Sequence, residues 1–487
     1  MSEYNAITAV WEITMACNMR CKHCGSSCED ALKGELTTEQ ALALCDDIGK
    51  LGLQWITLSG GEPLTRKDWP LIAQRLKQRG VIPNIISNGW AMTEEIVLKM
   101  VEVGIGTTAI SIDGTQRTHD RIRKEGSFDR SMNAFSLLQK HGQYTGAITS
   151  ISKDNINELV EIKELLIKKG VNSWQLQICI PMGNMKMQKE QLIEPEDINK
   201  ILEFCLETAR ENKITIYPAD CIGYFSETEE EVRQISLGVS TEMSWSGCNA
   251  GIRGFGILHN GDIIGCTSIR DREFIEGNIC ERSLIEIWKD ADSFNWSRNM
   301  KKTSLEGACK ECKYGDVCLG GCPNTRLTMN GTIYSENIFC AYNVAMKKLA
   351  NSLHTYSEEK LFQHATQLAK EEHYQESAII IKHLINHSPD DKQLHSLYGF
   401  VNFFMGNYEI AKESNETILK KDPKDWYALK GLGLCLHKMG NHDAGIAVIR
   451  KAIQHAPDGN NDPLHDLAFV YQEIGQHAKA ERILSDC

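Results

Sequence analysis

From residue 8 to about 215, short apolar runs alternate with longer stretches whose apolar positions recur every three or four residues. The short runs (8–14, 55–59, 83–87, 107–112, 146–151 and 174–180) have the length of strands. The longer ones (38–50, 68–79, 94–103, 131–141 and 156–169) carry one apolar face and predict amphipathic helices. Strand alternating with helix predicts a parallel sheet. Six units rather than eight predict a partial (β/α)6 TIM-like barrel of the α/β class, with its chemistry at the C-terminal ends of the strands.

Beyond 215 the pattern changes twice. Residues 216–245 are mixed and acidic, with the run 227–231, and read as a bridging segment. Residues 246–345 are rich in cysteine and glycine with few long helical stretches, and form a region of their own, which the resemblance given below implies is a small α+β domain. Residues 355–487 are helical throughout and repeat: Pro389, Pro423 and Pro457 stand 34 residues apart, as do Gly399 and Gly433, and Gly406 and Gly440. A 34-residue helix–turn–helix unit resembles the tetratricopeptide repeat. Three full units and a fourth, shifted by one residue at Gly475 and ending at Cys487, predict an all-α solenoid whose inner face binds peptides or proteins.

Length and charge narrow the function. A chain of 487 residues predicts roughly two to four domains. A net charge of −12 and a pI near 5.7 argue against nucleic acid or an anionic membrane as partner. The N-terminus lacks a basic, cleavable signal, and no run approaches eighteen apolar residues, so a soluble cytoplasmic protein is expected. The 18 cysteines are then unsuited to disulfides and read as metal ligands or reactive thiols where they cluster. Ten fall into two motifs. Others, among them Cys45, Cys205, Cys280 and Cys435, are expected as small core residues.

The first motif is Cys17, Cys21 and Cys24, spaced C-x3-C-x2-C just after the first strand. Three thiolates are one short of a closed iron–sulfur or zinc site, and an open metal position is where chemistry occurs. A structural zinc with Cys28 as fourth ligand is the alternative. Gly60-Gly61-Glu62-Pro63 follows the second strand; paired glycines permit close backbone approach, and a carboxylate accepts bonds from an ammonium group. Ser87-Asn88-Gly89 ends the third strand. Ser111-Ile112-Asp113-Gly114 ends the fourth, with Arg123 nearby.

In this order the motifs resemble the radical S-adenosylmethionine (SAM) superfamily over about residues 10–180. The resemblance implies that Cys17, Cys21 and Cys24 hold a SAM-binding 4Fe–4S cluster and that Gly60, Gly61 and Glu62 hold the SAM amino group. Asn88, Ser111 and Arg123 complete the SAM contacts it implies, Ser111 and Arg123 toward carboxylate or ribose, a role that guanidinium–carboxylate pairing suits.

The second motif is Cys248, Cys266, Cys309, Cys312, Cys318, Cys322 and Cys340, with Gly261 ahead of Cys266. Paired zinc ribbons are the alternative. The order resembles the SPASM domain, which implies two auxiliary 4Fe–4S clusters, three clusters in all. Cys309, Cys312, Cys318 and Cys340 would close one; Cys248, Cys266 and Cys322 would leave the other a ligand short. Relatives that mature sulfatases complete it with a cysteine just upstream, but 241–247 has none, so either Cys221 caps it or an iron stays open. Thr267 stands where those relatives carry a catalytic aspartate, which speaks against that activity; Asp220 is the remaining acid nearby, and no catalytic residue is assigned.

The resemblance implies reductive SAM cleavage to a 5′-deoxyadenosyl radical. The leading expectation is oxidative, crosslink-type modification of a ribosomally made peptide or protein, with a flavodoxin- or ferredoxin-type electron donor. The chain begins almost at the barrel, so no N-terminal leader-binding domain is expected and the repeats are expected to hold the precursor. The alternative is a small-molecule enzyme, of the haem-pathway decarboxylase or sugar-dehydrogenase type, whose repeats bind a partner protein. A scaffold that has lost catalysis is a third reading, against which the intact Cys17, Cys21, Cys24 and Glu62 argue.

Overall fold

The computed structural model describes residues 4–238 and 246–485. Most of the stretch 241–247 and the last two residues of the fourth repeat lie outside the described residues. The described chain forms two compact units, one reaching to Val344 and one from Ala345 onward that also takes in Glu311–Lys313.

The first unit is built on one ten-stranded sheet. Strands β1 (Thr8–Thr14), β2 (Trp55–Gly60), β3 (Ile82–Ser87), β4 (Thr107–Ser111), β5 (Tyr144–Ile151), β6 (Ser173–Ile178) and β7 (Thr215–Pro218) pair parallel in chain order. The intervening helices lock themselves locally. Thr38–Leu51 starts on a capping box between Thr37 and Gln40 and stops at Gly52, whose φ of 84° no branched residue tolerates well. Glu94–Val103 is capped by Thr93 and ended by Gly104 in the same way. Their apolar faces cover the sheet and bury Leu44, Ile48, Val97 and Met100.

The expected six parallel strands are all present, and four short ones extend them. β7 continues the barrel edge beyond β6. On the other side β8 (Gly254–Ile257) pairs parallel to β1, and β9 (Asp262–Ile264) and β10 (Ile275–Asn278) follow it antiparallel. The cysteine-rich region therefore grows directly from the barrel's first strand. These strands carry no readable period: they span three or four residues, and β8 is Gly-Phe-Gly-Ile, buried at every position. A Cβ at Gly256 would come 2.9 Å from the Thr267 backbone nitrogen, so a residue that reads as a loop former is required inside a strand. The sheet ends at β7 and β10, which leaves the barrel incomplete.

Cys280 corrects an expectation. Cys45, Cys205 and Cys435 are fully buried, but Cys280 is exposed and accepts from Gln40 Nε2 at 3.4 Å. It follows β10 in a turn that packs Ile279 on the core and leaves the next side chain outward.

The second unit is a run of paired helices: Glu358–Lys370 with Tyr374–His387, Lys392–Phe404 with Tyr408–Lys421, Trp426–Lys438 with His442–His455, and Asp462–Glu473 with His477–Ser485. The two middle pairs superimpose on the 34-residue period residue for residue. The turn inside each pair needs a left-handed residue, supplied by Gly406, Gly440 and Gly475; in the first pair Glu372 takes that conformation at φ 63°. Among the described residues no helix is long and apolar enough to cross a membrane.

Candidate active site at the ends of strands one to four

The loop after β1 carries Cys17, Cys21 and Cys24. It is fixed from several sides at once. Gly61 N–H donates to Thr14 O and Glu62 N–H to Ala16 O, each at 2.8 Å, which clamps the end of β2 against the start of the loop. A Cβ at Gly60 would lie 2.0 Å from Thr14 O, and one at Gly61 2.3 Å from Ala16 O. The paired glycines thus serve the crossing of two backbone segments, a close approach within the fold itself.

Glu62 is fully buried. Oε2 accepts from Asn88 N–H at 2.7 Å, and Oε1 from Ser87 Oγ at 2.9 Å and Leu64 N–H at 3.2 Å. Burial outweighs these bonds and pushes its carboxyl up to about 7. Asn88 continues the chain of contacts, donating from Nδ2 to Asn18 Oδ1 at 2.7 Å with Cys17 Sγ 3.9 Å away. Glu62 and Asn88 therefore stand between two strand ends and the first cysteine, although they are 26 residues apart in sequence.

At the end of β4 Ser111 is buried, and Asp113 organises the surroundings. Its Oδ1 accepts from Ser150 N–H at 2.8 Å; Oδ2 accepts from His23 Nε2 at 2.7 Å and from Arg123 Nε. The Arg123 guanidinium, with His23, holds the Asp113 carboxyl far below the usual carboxylate range despite full burial. Arg123 is thereby committed to Asp113, and its Nη1 points to Cys21 Sγ at 4.0 Å. The position implied as a contact to SAM carboxylate or ribose lies against the cysteine loop. His119 Nδ1 accepts from Asp113 N–H at 3.0 Å; burial takes its imidazole down to about 4, so it is neutral.

Sequence reasoning gave Asp113 no role within the Ser111-Ile112-Asp113-Gly114 run and passed over His23 and Asn184. Asn184, after β6, donates from Nδ2 to Cys21 O and from its backbone to Cys24 O, each at 2.9 Å. His23 had a legible signal, its place between two cysteines; Asn184 had none, being 163 residues from its partner. Arg270, four residues after Cys266, reaches back to Glu12 on β1 and to Ser26 Oγ at 2.6 Å. Within the loop, Cys28 donates to Cys24, which draws the Cys24 thiol down to about 5 and pushes Cys28 up. Burial raises Cys17, and Cys21 up to about 11.

Two of the second cysteine set, Cys248 and Cys266, flank the β8–β9 hairpin. Gly261 is its turn residue, at φ 88°, and sets Cys266 at the far end of β9. Cys322 acts electrostatically on Cys221, Cys248 and Cys266; burial, then Cys322, pushes the Cys221 thiol up to about 12. Tyr224 seals this region, accepting from Cys322 N–H at 3.0 Å and donating to Asp220 O. Asp220 itself is exposed, and Tyr224 takes its carbonyl oxygen. Cys309 Sγ accepts from Asn337 N–H at 3.5 Å, and Cys318 packs with Cys322, Cys340 and Tyr224. Cys312 is half-buried at the end of the short helix Gly307–Glu311.

Among the described residues no group of three or more His, Cys, Asp or Glu side chains is set to hold a single metal ion. The donor chemistry fits larger anionic groups. Three cysteines share one loop beside a buried arginine, and in the second set Arg326 is 1% exposed with Nε and Nη1 lacking any hydrogen-bond partner. A cluster with thiolate ligands supplies the negative charge such donors require.

The second unit has a site of its own. A cleft of about 350 Å³ lies between the helices Lys392–Phe404, Trp426–Lys438 and Asp462–Glu473, lined by Phe400, Phe403, Phe404, Tyr427, Gly431 and Phe469. An apolar cavity of about 150 Å³ already binds benzene, so this one has room for a large side chain.

The comparisons agree with this geometry. The profile of the radical SAM superfamily matches residues 11–166, and that of SPASM, an iron–sulfur cluster-binding domain, matches 248–313. An AdoMet-dependent heme synthase of Methanosarcina barkeri is 31% identical over 345 residues, 69% of this chain and 97% of that protein. Mycofactocin maturase MftC of Mycolicibacterium smegmatis is 26% identical over 321 residues, 65% of this chain and 78% of that protein. In structure, anSMEcpe with bound AdoMet superimposes with a TM-score of 0.56 at 16% identity, over 68% of this chain and 94% of that one, a likeness of fold. With both profiles matched in order and the heme synthase aligned over nearly its whole length, the chain belongs to the radical SAM superfamily, among the enzymes that use SAM and 4Fe–4S clusters and carry a SPASM domain.

Proposed function

We propose that the protein oxidatively modifies a ribosomally made peptide or small protein held in part by the helical array. Cys17, Cys21 and Cys24 carry the cluster at which SAM binds, with Glu62 as counter-charge to the SAM ammonium group. SAM bound at the reduced cluster would supply radical chemistry able to activate a carbon–hydrogen bond of the substrate. The chain's residues do the rest: Asn88, Asp113, His23 and Asn184 hold the loop, and the barrel excludes water. Cys309, Cys312, Cys318 and Cys340 hold one auxiliary cluster; Cys248, Cys266 and Cys322, capped by Cys221, hold a second, giving three. A flavodoxin- or ferredoxin-type protein delivers the electron, in the cytoplasm.

The observation that carries the peptide reading is the apolar cleft of the second unit, with Phe404 55% and Phe469 39% exposed at its edge. An exposed apolar cleft of this size marks a surface that takes up another chain, and a peptide substrate is such a chain. The test is co-expression with a short peptide encoded beside this gene, followed by mass spectrometry: loss of two hydrogens supports crosslinking. Equal modification by a chain ending near residue 350 removes the array from the reading.

A second reading is a tetrapyrrole-type small-molecule enzyme whose array binds a partner protein. The identity to the heme synthase, higher than that to the maturase, favours it. Consumption of an iron porphyrin with carbon dioxide release, and no change in any neighbouring peptide, would decide for it.

A further inference from the structure

Among the described residues Arg326 is one of the largest fully buried side chains, and two of its guanidinium nitrogens lack a hydrogen-bond partner. Nη2 donates to Leu319 O at 3.0 Å, while Nε and Nη1 are buried with no hydrogen-bond partner. A charge taken out of water with donors left open is strongly disfavoured, and a fold keeps one only where an acceptor occupies the space. The surroundings name that acceptor by its sign. Burial pushes the Arg326 guanidinium below its usual range, and Cys309, Cys322 and Cys318 are the groups that most oppose this, each favouring the charged form.

The backbone is shaped to the guanidinium. Leu319, Gly320 and Gly321 all have positive φ, of 51°, 80° and 68°, and wrap the segment between Cys318 and Cys322 around it. A Cβ at Gly320 would stand 2.8 Å from Arg326 Cζ and Nη1. Leu319 accepts a left-handed conformation that costs a non-glycine residue energy, and its carbonyl is the one Arg326 uses. Arg326 itself stands in the first turn of the helix Pro323–Asn330, directly after Cys322.

We propose that Arg326 is a shared counter-cation for both auxiliary clusters, its open Nε and Nη1 donating to sulfur of the two cysteine sets between which it is buried. This rests on the cluster assignment above, in which Cys309 and Cys318 belong to one set and Cys322 to the other. Arg326 is a positioning residue: it lowers the cost of placing two anionic groups in one interior and favours the reduced state of each, since hydrogen bonds and positive charge near the sulfurs raise a reduction potential.

The test compares Arg326→Met, Arg326→Lys and the wild type, full length, with and without reconstituted clusters. In cluster-free protein Arg326→Met raises the thermal midpoint, because an unsatisfied charge gives way to an apolar side chain. In reconstituted protein the same change moves the potentials of both auxiliary signals, followed by EPR-monitored titration, to more negative values, and Arg326→Lys keeps them nearer the wild type. The SAM-site signal stays in place. Potentials unmoved, or moved for one auxiliary signal alone, overturn the proposal, as does a cluster-free Met variant less stable than wild type. Wild-type protein that takes up iron for the SAM site only overturns the cluster assignment and this inference with it, whereas full loading with unshifted potentials overturns the inference alone. If the Met variant does not fold, the Lys variant and Arg326→Gln are read by the same potentials.

Discussion

Arg123 Nε meets Asp113 Oδ2 in an ion pair whose side chains are 9% and 0% exposed. It joins the end of β4 to the cysteine loop, because the same carboxylate oxygen accepts from His23 and the same guanidinium faces Cys21.

Removing one partner of such a pair leaves a buried charge uncompensated. Asp113→Ala is expected to lower stability by about 3–5 kcal/mol, measured by urea unfolding of the cluster-free protein. Asp113→Asn, which keeps the bond from Ser150 N–H, loses less. A loss below 1 kcal/mol for Asp113→Ala would mean that the pair is open to water.

Glu62 gives a pH dependence of definite sign. Its carboxyl is raised from 4.5 to about 7, so between those values the folded state binds a proton that the unfolded state has released. Its contribution is full below 4.5 and is lost as pH rises through 7, on the order of 3 kcal/mol. Glu62→Gln should therefore gain on the wild type in thermal midpoint between pH 5 and pH 8. A ligand ammonium group placed beside Glu62 reverses the preference, so SAM binding at pH 6 is expected to release a proton, detectable by calorimetry in buffers of different ionisation heat.

Glu372 sits at φ 63° in the turn where its counterparts are Gly406 and Gly440. Glu372→Gly removes the left-handed strain and is expected to stabilise the helical unit by about 0.5–1 kcal/mol, after allowance for the greater freedom of glycine in the unfolded chain. The helical circular dichroism of the full chain on heating reports it; an unchanged or lower midpoint counts against the strain.

Cysteine variants separate ligands from core residues. Cys309→Ser is expected to remove about four irons per chain, one cubane's worth, whereas Cys435→Ser, buried in the helical unit, leaves iron unchanged. Cys221→Ser should alter the spectrum of one auxiliary cluster and spare the others. Identical iron content and spectra in Cys221→Ser and wild type would leave that cluster with an open iron.

What the sequence determined by itself was whatever repeats or recurs within a few residues. The six barrel strands follow from periods a short window can count, and the helical pairs from glycines 34 residues apart. The cysteine spacings, Gly60-Gly61-Glu62 and Asn88 were legible because each motif is contiguous.

Only the tertiary structure decided the partners. Nothing local pairs β8 with β1, because a four-residue glycine-containing strand is stabilised by the neighbour it meets. Glu62 with Asn88, Arg123 with Cys21 and Asn184 with Cys24 depend on which strand ends the sheet order brings to one place. The roles of the paired glycines and of Arg326 were decided in the same way. A sequence lists charges and small residues, but whether a charge is left without water or an acceptor depends on burial, and burial is a property of the whole fold.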